Sequence, residues 1–249
     1  MSGDRYSRQT LLREIGPEGQ SKIGDSFAVV VGCGALGTHA ASLLVRAGVG
    51  RTAVVDPDII EISNLQRQTL FCEEDVGKHK AEVAKRRLAE INSEVGVEGL
   101  VDRITVENAE RTLKGATVVV DATDNMEARF VMNDACIKLG IPWIYGGAVA
   151  TAGMVFATTR NGPCLRCIFP KLPLKGELPT CDTVGIVNSL PSIVASMEVT
   201  EALKIILGEE PTPELMVIEV WSGDIQKIEV RKNPECMTCG RHEYYNYSG

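Results

Sequence analysis

As far as Tyr145, short apolar runs alternate with stretches of helical period. Positions 29–31 are all valine and lead straight into Gly32-Cys33-Gly34-Ala35-Leu36-Gly37. From Thr38 onward, Ala40, Ala41, Leu43, Leu44 and Ala47 recur at helical spacing. Residues 52–55 form a second apolar strand, ended by Asp56-Pro57. Strand, glycine turn, helix and strand over 27–56 predict the nucleotide-binding unit of a doubly wound parallel sheet.

The flanking pattern extends this unit. Residues 5–15 carry leucines and an isoleucine at helical spacing and predict a first helix. Gly16-Pro17-Glu18-Gly19 is expected to break it before a second short helix to Ile23. Residues 61–68 have no clean period and predict a loop with a turn of helix. A helix is expected from Gly77 through Ala81, Ala84, Leu88 and Ile91, basic on its exposed face at Lys78, Lys80, Lys85, Arg86 and Arg87. Strands follow at 95–101 and 117–120, the second ending in Asp121-Ala122-Thr123-Asp124-Asn125. A helix over 128–139 is closed by Gly140 and Pro142 and precedes a strand at 143–145. After Gly146-Gly147 the order changes: a strand at 154–159, a loop at 170–180, a long helix over 186–207 closed by Gly208, and strands at 215–221 and 226–231 joined at Ser222-Gly223-Asp224. The expected fold class is α/β: a Rossmann-like doubly wound sheet, parallel in its N-terminal part and continued by an antiparallel C-terminal part. One domain over 1–249 is expected, with nucleotide binding in about 1–145 and the remaining functions in about 146–249.

The glycines suit an anion. Gly32 permits a tight turn, Gly34 has no Cβ to hold a phosphate away, and Gly37 lets the helix approach the strand. The helix start adds free N–H groups and the positive end of its dipole. Asp56, nineteen residues after Gly37, is placed to accept hydrogen bonds from ribose hydroxyls. The competing reading is a purely structural glycine turn, and the motif alone does not choose between nucleotides. A dehydrogenase needs an acid or base beside a nicotinamide, and His39, His79 and His242 are not placed for that. Polar and cationic groups instead follow the loop: Asn64, Arg67, Gln68 and Lys80, with Asp124 and Asn125 at the end of a parallel strand. Cations clamping phosphates beside a carboxylate that holds Mg²⁺ suit phosphoryl or nucleotidyl transfer. Taken singly, Lys80 reads as a solvated helix lysine and Asp124 as an N-cap; together, behind a nucleotide loop, the functional reading is the better one.

Composition narrows the partners. The chain has 249 residues, a hydrophobic fraction of 44% and a net charge of −7. An acidic chain is a poor nonspecific binder of nucleic acid or anionic membrane. The start is polar and the weakly polar run at 144–158 is too short to span a bilayer, so a soluble, cytoplasmic protein is expected. Of eight cysteines, four form the pairs Cys164-x-x-Cys167 and Cys236-x-x-Cys239, separated by 68 residues. In a reducing compartment this spacing reads as one structural Cys₄ zinc site, with a redox disulfide as the competitor. Cys33, Cys72 and Cys136 read as core fillers.

Several short motifs stand in a fixed order: Arg5-Tyr6-Ser7-Arg8-Gln9, Gly32-x-Gly34-x-x-Gly37, Asp56-x-Asp58, Ser63-Asn64-Leu65-Gln66-Arg67-Gln68, Gly77-x-x-Lys80, Asp121-x-x-Asp124-Asn125, a Cys-x-x-Cys, Thr180-Cys181 and a second Cys-x-x-Cys. From Arg5 to Cys239 the string resembles the MoeB/ThiF/HesA adenylyltransferases, relatives of the ubiquitin-activating enzymes. The resemblance implies ATP-dependent adenylation of the C-terminal Gly-Gly of a small ubiquitin-fold sulfur-carrier protein, with release of pyrophosphate. It implies a catalytic set of Arg8, Arg67, Lys80, Asp124 and Cys181. For ATP it implies Gly32, Gly34, Ala35, Gly37, Asp56, Asp58, Ser63, Asn64, Leu65, Gln66, Arg67, Gln68, Lys80, Asp124 and Asn125. Asp56 then serves the ribose, Asn64, Arg67 and Lys80 the phosphates, and Asp124 the Mg²⁺. Arg8 is the arginine that reaches into the partner subunit's site, which makes the protein a homodimer. Ala35 departs from the family's Gly-Gly-Leu-Gly by one methyl group. Cys181 matches a thiol on a crossover loop that binds the carrier covalently in some members, and Lys171 and Lys175 are near enough in sequence to lower its pKa. The region 146–249 becomes the carrier-binding and zinc part. No appended rhodanese-like domain is seen, so a sulfur donor in trans is expected. Molybdopterin synthesis, thiamine synthesis and tRNA thiolation all suit this core. An adenylating tRNA-modifying enzyme of the same fold and an NAD-binding dehydrogenase or sensor are the alternatives.

Overall fold

A computed structural model of the chain describes residues 5–158, 161–174 and 176–245. Its strands are β1 Phe27–Val31, β2 Arg51–Val55, β3 Gly96–Leu100, β4 Val118–Asp121, β5 Trp143–Val149, β6 Ala152–Thr158, β7 Glu214–Glu219 and β8 Asp224–Glu229. Its helices are α1 Gly16–Gly24, α2 Ala35–Ala47, α3 Lys80–Ile91, α4 Ala109–Leu113, α5 Met126–Leu139, α6 Leu165–Ile168, α7 Cys181–Val184 and α8 Ser189–Leu207. The eight strands form one sheet in the order β3-β2-β1-β4-β5-β6-β7-β8. The first five run parallel. From β5 onward each pairing is antiparallel, beginning with Trp143 opposite Thr158. The parallel part and its antiparallel continuation are as the sequence pattern predicts.

The pleat sorts β1 onto two cores. Ala28 and Val30 pack with α2, α3 and α8, through residues such as Leu44, Leu88 and Val194. Val29 and Val31 pack with α4 and α5, through Leu113, Phe130 and Met132. Both faces are covered, which is why the central strands are continuous apolar runs without alternation. Each fully buried valine or leucine here stabilises the fold by about 1.5–3 kcal/mol. No helix among the described residues is long and apolar enough to cross a membrane.

Some local expectations fail for physical reasons. Residues 5–15 form successive turns and no helix. Leu11 and Leu12, which set the apparent period, are 76% and 53% exposed, and the segment is held instead by buried Tyr6 and by Gln9. Gly16-Pro17 does not break a helix but opens α1, because proline in a first turn lacks only an N–H that has no partner there. The helix after the glycine loop starts at Ala35, with Gly34 as N-cap. Gly77 takes a turn at φ +86, and α3 begins only at Lys80. Lys80 is buried rather than on an exposed basic face. Strand β5 runs on to Val149 because β6 pairs with it along its whole length. The short helices α4, α6 and α7 are too brief to leave a period in the sequence.

Candidate active site and metal centre

The loop after β1 and the loop after β4 meet where the strand order reverses, between β1 and β4. Ligands of open α/β sheets bind at this point, beyond the carboxyl ends of the strands. Gly32 has φ +96, and a Cβ there would overlap the Ala122 carbonyl of the second loop. A Cβ on Gly37 would overlap the Gly32 carbonyl. Gly34 is different: only the Gln68 amide, at 3.8 Å, borders its open side. The first turn of α2, starting at Ala35 with Gly34 as its N-cap, has no side-chain cap, which leaves its first N–H groups without a partner inside the helix. Asp56 fixes the loop: its Oδ2 accepts from the Cys33 N–H at 2.6 Å and its Oδ1 from the Asp58 N–H at 2.8 Å. Burial pushes the Asp56 carboxyl up, and these two N–H bonds pull against that.

The segment after β2 lines one side. A short 3₁₀ turn, Ile62–Asn64, buries the Asn64 side chain, whose Oδ1 accepts from the Glu61 N–H at 3.1 Å. Arg67 reaches back to the Ser63 carbonyl at 3.1 Å, and Ser63 and Gln66 are exposed. Leu65 is half-buried against the core. Gln68 is buried, with its Oε1 unpaired among the described residues. Lys80 donates to the exposed Asp58 carboxylate at 3.2 Å. The pair joins a buried ammonium on a flexible stem to an acid that is itself exposed.

Three residues that close β4 divide the work. Asp121 is fully buried; its Oδ2 accepts from Arg129 Nε at 2.8 Å and its Oδ1 from the Thr123 N–H and Oγ1 at 2.9 and 2.7 Å. Arg129 also donates through Nη2 to the carbonyls of Thr123 and Gly146, at 2.6 and 2.8 Å. Asn125 is the N-cap of α5, accepting from the Ala128 N–H at 2.8 Å. Asp124 is therefore not the cap. It is exposed, and no hydrogen bond or ion pair engages it among the described residues. Sequence reasoning did not single out Arg129; its signal was a cation inside an otherwise buried helix, at a spacing of eight from Asp121.

Cys181 opens α7, half-buried, with its Sγ 3.7 Å from the Ala148 carbonyl. The charges that act on it include Arg67 and Asp124, so the crossover loop brings this thiol to the same mouth. The main cation acting on the thiol is not the expected lysine. Burial pushes the thiol up and Arg67 is the main cation that opposes this, rather than Lys171; Lys175 lies outside the described residues. Arg8 is not brought to the site. The Tyr6 ring lies against Gly48 and Gln9 donates to the Ala47 carbonyl, so the segment sits at the far end of α2. That helix has 13 residues, about 20 Å of length, between Arg8 and the glycine loop.

The two Cys-x-x-Cys pairs come together as expected. The Sγ atoms of Cys164 and Cys236 are 3.6 Å apart, those of Cys167 and Cys239 are 3.5 Å apart, and all four lie within 4.8 Å of one another. A tetrahedral Zn²⁺ with four thiolates at about 2.3 Å puts the sulfurs about 3.8 Å apart, so the cluster fits zinc with no position left for water. Asn133 and Asp134 of α5 support it. Asn133 accepts from the Leu165 N–H at 3.0 Å and donates toward the Cys164 Sγ at 3.7 Å. Asp134 accepts from Thr238 Oγ1 and, at 2.8 Å, from the Tyr245 N–H. Among the other cysteines, Cys33 and Cys136 are buried as expected, but Cys72 is exposed. Its Sγ lies 3.1 Å from Asp75 Oδ2 and 2.9 Å from Arg87 Nη2, so polar neighbours rather than a core hold it.

Comparison with known proteins follows the same lines. Residues 6–238 match the model of the ThiF family. The chain is 44% identical over 245 residues to the sulfur carrier protein ThiS adenylyltransferase of Bacillus subtilis, covering 96% of this chain and 72% of that one. It is 42% identical over 245 residues to the sulfur carrier protein adenylyltransferase of Thermus thermophilus, covering 95% and 90%. Among solved structures, E. coli MccB with ATP superposes with a TM-score of 0.84 at 25% identity, covering 96% of this chain and 75% of that one. The match over nearly the whole length, with the glycine loop and cysteine pairs in place, makes the chain a member of the ThiF family.

Proposed function

We propose that the protein is an ATP-dependent adenylyltransferase acting on the C-terminal glycine of a small ubiquitin-fold sulfur carrier of the ThiS kind. The observation that carries this reading is Asp124: an unpaired, exposed carboxylate across the strand-order reversal from an open glycine loop, with Asn125 taking the cap. The B. subtilis and T. thermophilus relatives support it by name. The carrier's terminal carboxylate attacks the α-phosphorus of ATP, the bond to pyrophosphate breaks, and the acyl-adenylate is left for a sulfur nucleophile. The N–H groups at the start of α2 and the side chains of Asn64, Arg67 and Lys80 hold the phosphates, Lys80 exchanging Asp58 for them. Asp56, already accepting two N–H groups, has lone pairs to spare for the ribose hydroxyls. Asp124 holds Mg²⁺, which when bound neutralises charge on the phosphates. Ser63, Leu65, Gln66 and Gln68 complete the wall of the nucleotide site.

Arg8, too far from the site of its own chain, serves a second copy in a two-fold homodimer. Cys181 acts after adenylation if the carrier is passed to a thiol, and sulfur comes from a separate donor. Zinc, held by Cys164, Cys167, Cys236 and Cys239, is structural. We place the protein, as one domain, in the reducing cytoplasm that such thiolates require. The test is exchange of labelled pyrophosphate into ATP. It should require both Mg²⁺ and a carrier ending in Gly-Gly. Tight NAD binding without ATP binding, or exchange indifferent to the carrier, overturns the reading.

A further inference from the structure

Glu198 lies in the middle of α8 and is fully buried, yet neither carboxyl oxygen has a hydrogen-bond partner among the described residues. An unpaired carboxyl in an interior is costly beside an apolar side chain of similar size. Packing does not call for it, since its helix neighbours Val194, Ala195, Val199 and Ala202 are ordinary core. A buried polar group of this kind needs a reason, and such groups concentrate at functional sites.

Its surroundings supply one. The carboxyl rests on Gly146 of β5, where a Cβ would overlap it, so Glu198 fills the place of a side chain at that position. The Gly146 carbonyl accepts from Arg129 Nη2 at 2.8 Å. The same nitrogen donates to the Thr123 carbonyl at 2.6 Å, and Arg129 Nε to Asp121 at 2.8 Å. Asp121 in turn grips the Thr123 N–H and hydroxyl. The next residue is Asp124. Contacts run unbroken from α8 to the carboxylate that the proposed reaction needs. Resting on the adenylation reading, we propose that Glu198 is a positioning residue: its carboxyl, seated on Gly146, sets the strand against which Arg129 fixes the Thr123–Asp124 segment.

Burial holds Glu198 well above the ordinary carboxylate value of 4.5; Asp121 adds to the rise and Arg129 opposes it. The ionisable groups facing it are Asp121 from β4, Arg129 from α5 and Tyr145 from β5. Strand β6 has no ionisable residue, and those of α1 and α2 do not act on it. Because the folded value lies above the unfolded one, this group's contribution to stability is full below about 4.5 and is lost as pH rises through the folded value. Ionisation sets a second negative charge near Asp121 and competes for Arg129, so the site loosens on the alkaline side.

The test is carrier-dependent pyrophosphate exchange from about pH 6 to about pH 10, in wild type, Glu198→Gln and Glu198→Ala, each checked for folding by circular dichroism. Glu198→Gln keeps the shape without the ionisation. It should retain the neutral-pH rate within about twofold and lose the alkaline decline of the wild type. Glu198→Ala should lower kcat about tenfold with little change in KM for ATP. An alkaline limb identical in wild type and Glu198→Gln overturns the inference, as does full activity in folded Glu198→Ala. If the alanine variant does not fold, the glutamine profile still decides. Exchange absent from the wild type overturns the adenylation reading and this inference with it; an active wild type with an unmoved profile in the variant overturns this inference alone.

Discussion

Asp121 and Asp124 stand three residues apart, and the structure predicts opposite consequences for replacing them. Asp124→Ala removes an exposed carboxylate that touches no partner among the described residues. No buried group is left unpaired, so unfolding free energy should change by no more than about 0.5 kcal/mol. For a chain of this size that is about 1–2 °C in Tm. The loss should fall on chemistry instead: removal of a group that stabilises charge in the reacting complex costs about 3 kcal/mol in the barrier, or about a hundredfold in rate. Asp121→Asn keeps the shape but strips the charge facing Arg129, whose side chain is only 11% exposed. Breaking a buried, hydrogen-bonded ion pair costs about 3–5 kcal/mol, because the remaining charge has no water to turn to. That corresponds to a fall of roughly 6–20 °C in Tm. Thermal unfolding and carrier-dependent pyrophosphate exchange, measured on both variants, separate the two roles. Near-normal exchange in Asp124→Ala means that Mg²⁺ is held elsewhere. An unchanged Tm in Asp121→Asn means that the Asp121–Arg129 pair does not anchor the loop.

Purified protein should carry about one zinc per chain, and Cys236→Ser should lose it; folded, zinc-free wild type with two disulfides contradicts the Cys₄ site. Cys181→Ala should still form the adenylate, and because burial pushes this thiol up, iodoacetamide should label it slowly at neutral pH. Loss of exchange in a folded Cys181→Ala variant would place the thiol in the first step. Arg8→Ala and Asp124→Ala should each be inactive alone, while subunits exchanged between them at random should regain about a quarter of all sites. No recovery despite proven subunit exchange means that Arg8 acts within its own chain.

The parts of this molecule that were legible in the sequence are those whose signal is local. Three valines before a glycine loop can only be a central strand, and Asp56 and Asp121 close strands because each ends an apolar run. The cysteine pairs announce themselves by spacing alone, although 72 residues separate the partners Cys164 and Cys236. What stayed hidden depends on tertiary contact. The period of residues 5–15 is helical, but Tyr6 finds Gly48 and Asn92, and Gln9 finds Ala47, so the backbone follows those anchors. Lys80 reads as a solvated lysine until the Asp58 turn folds over it. Arg129 and Glu198 interrupt the apolar faces of two helices, and a period count treats such residues as noise. Asn133 and Asp134 carry no motif, because their partners lie far along the chain at Leu165, Thr238 and Tyr245.

Helix α5 explains how the two halves of the sheet can serve one reaction. Asn125 caps it beside the nucleotide loop, Arg129 locks Asp121 one turn later, and Asn133 meets the Cys164 turn one further turn along. Residues four apart on a helix lie nearly one above another, about 6 Å along the axis. The cap, the ion pair and the support of the cysteine cluster are therefore stacked along one face, about 12 Å from first to last. Asp134, the next residue, draws in the C-terminal segment through Thr238 and Tyr245, and Arg166 of α6 pairs with it at 3.5 Å. A metal bound by the four thiolates thus joins β6 and the tail to the same rigid element whose N-terminus presents Asp124. On the proposed reading a zinc ion there would do no chemistry, yet it would bear on the reaction, because the helix it would steady is the one whose N-terminus follows Asp124, the proposed Mg²⁺ ligand.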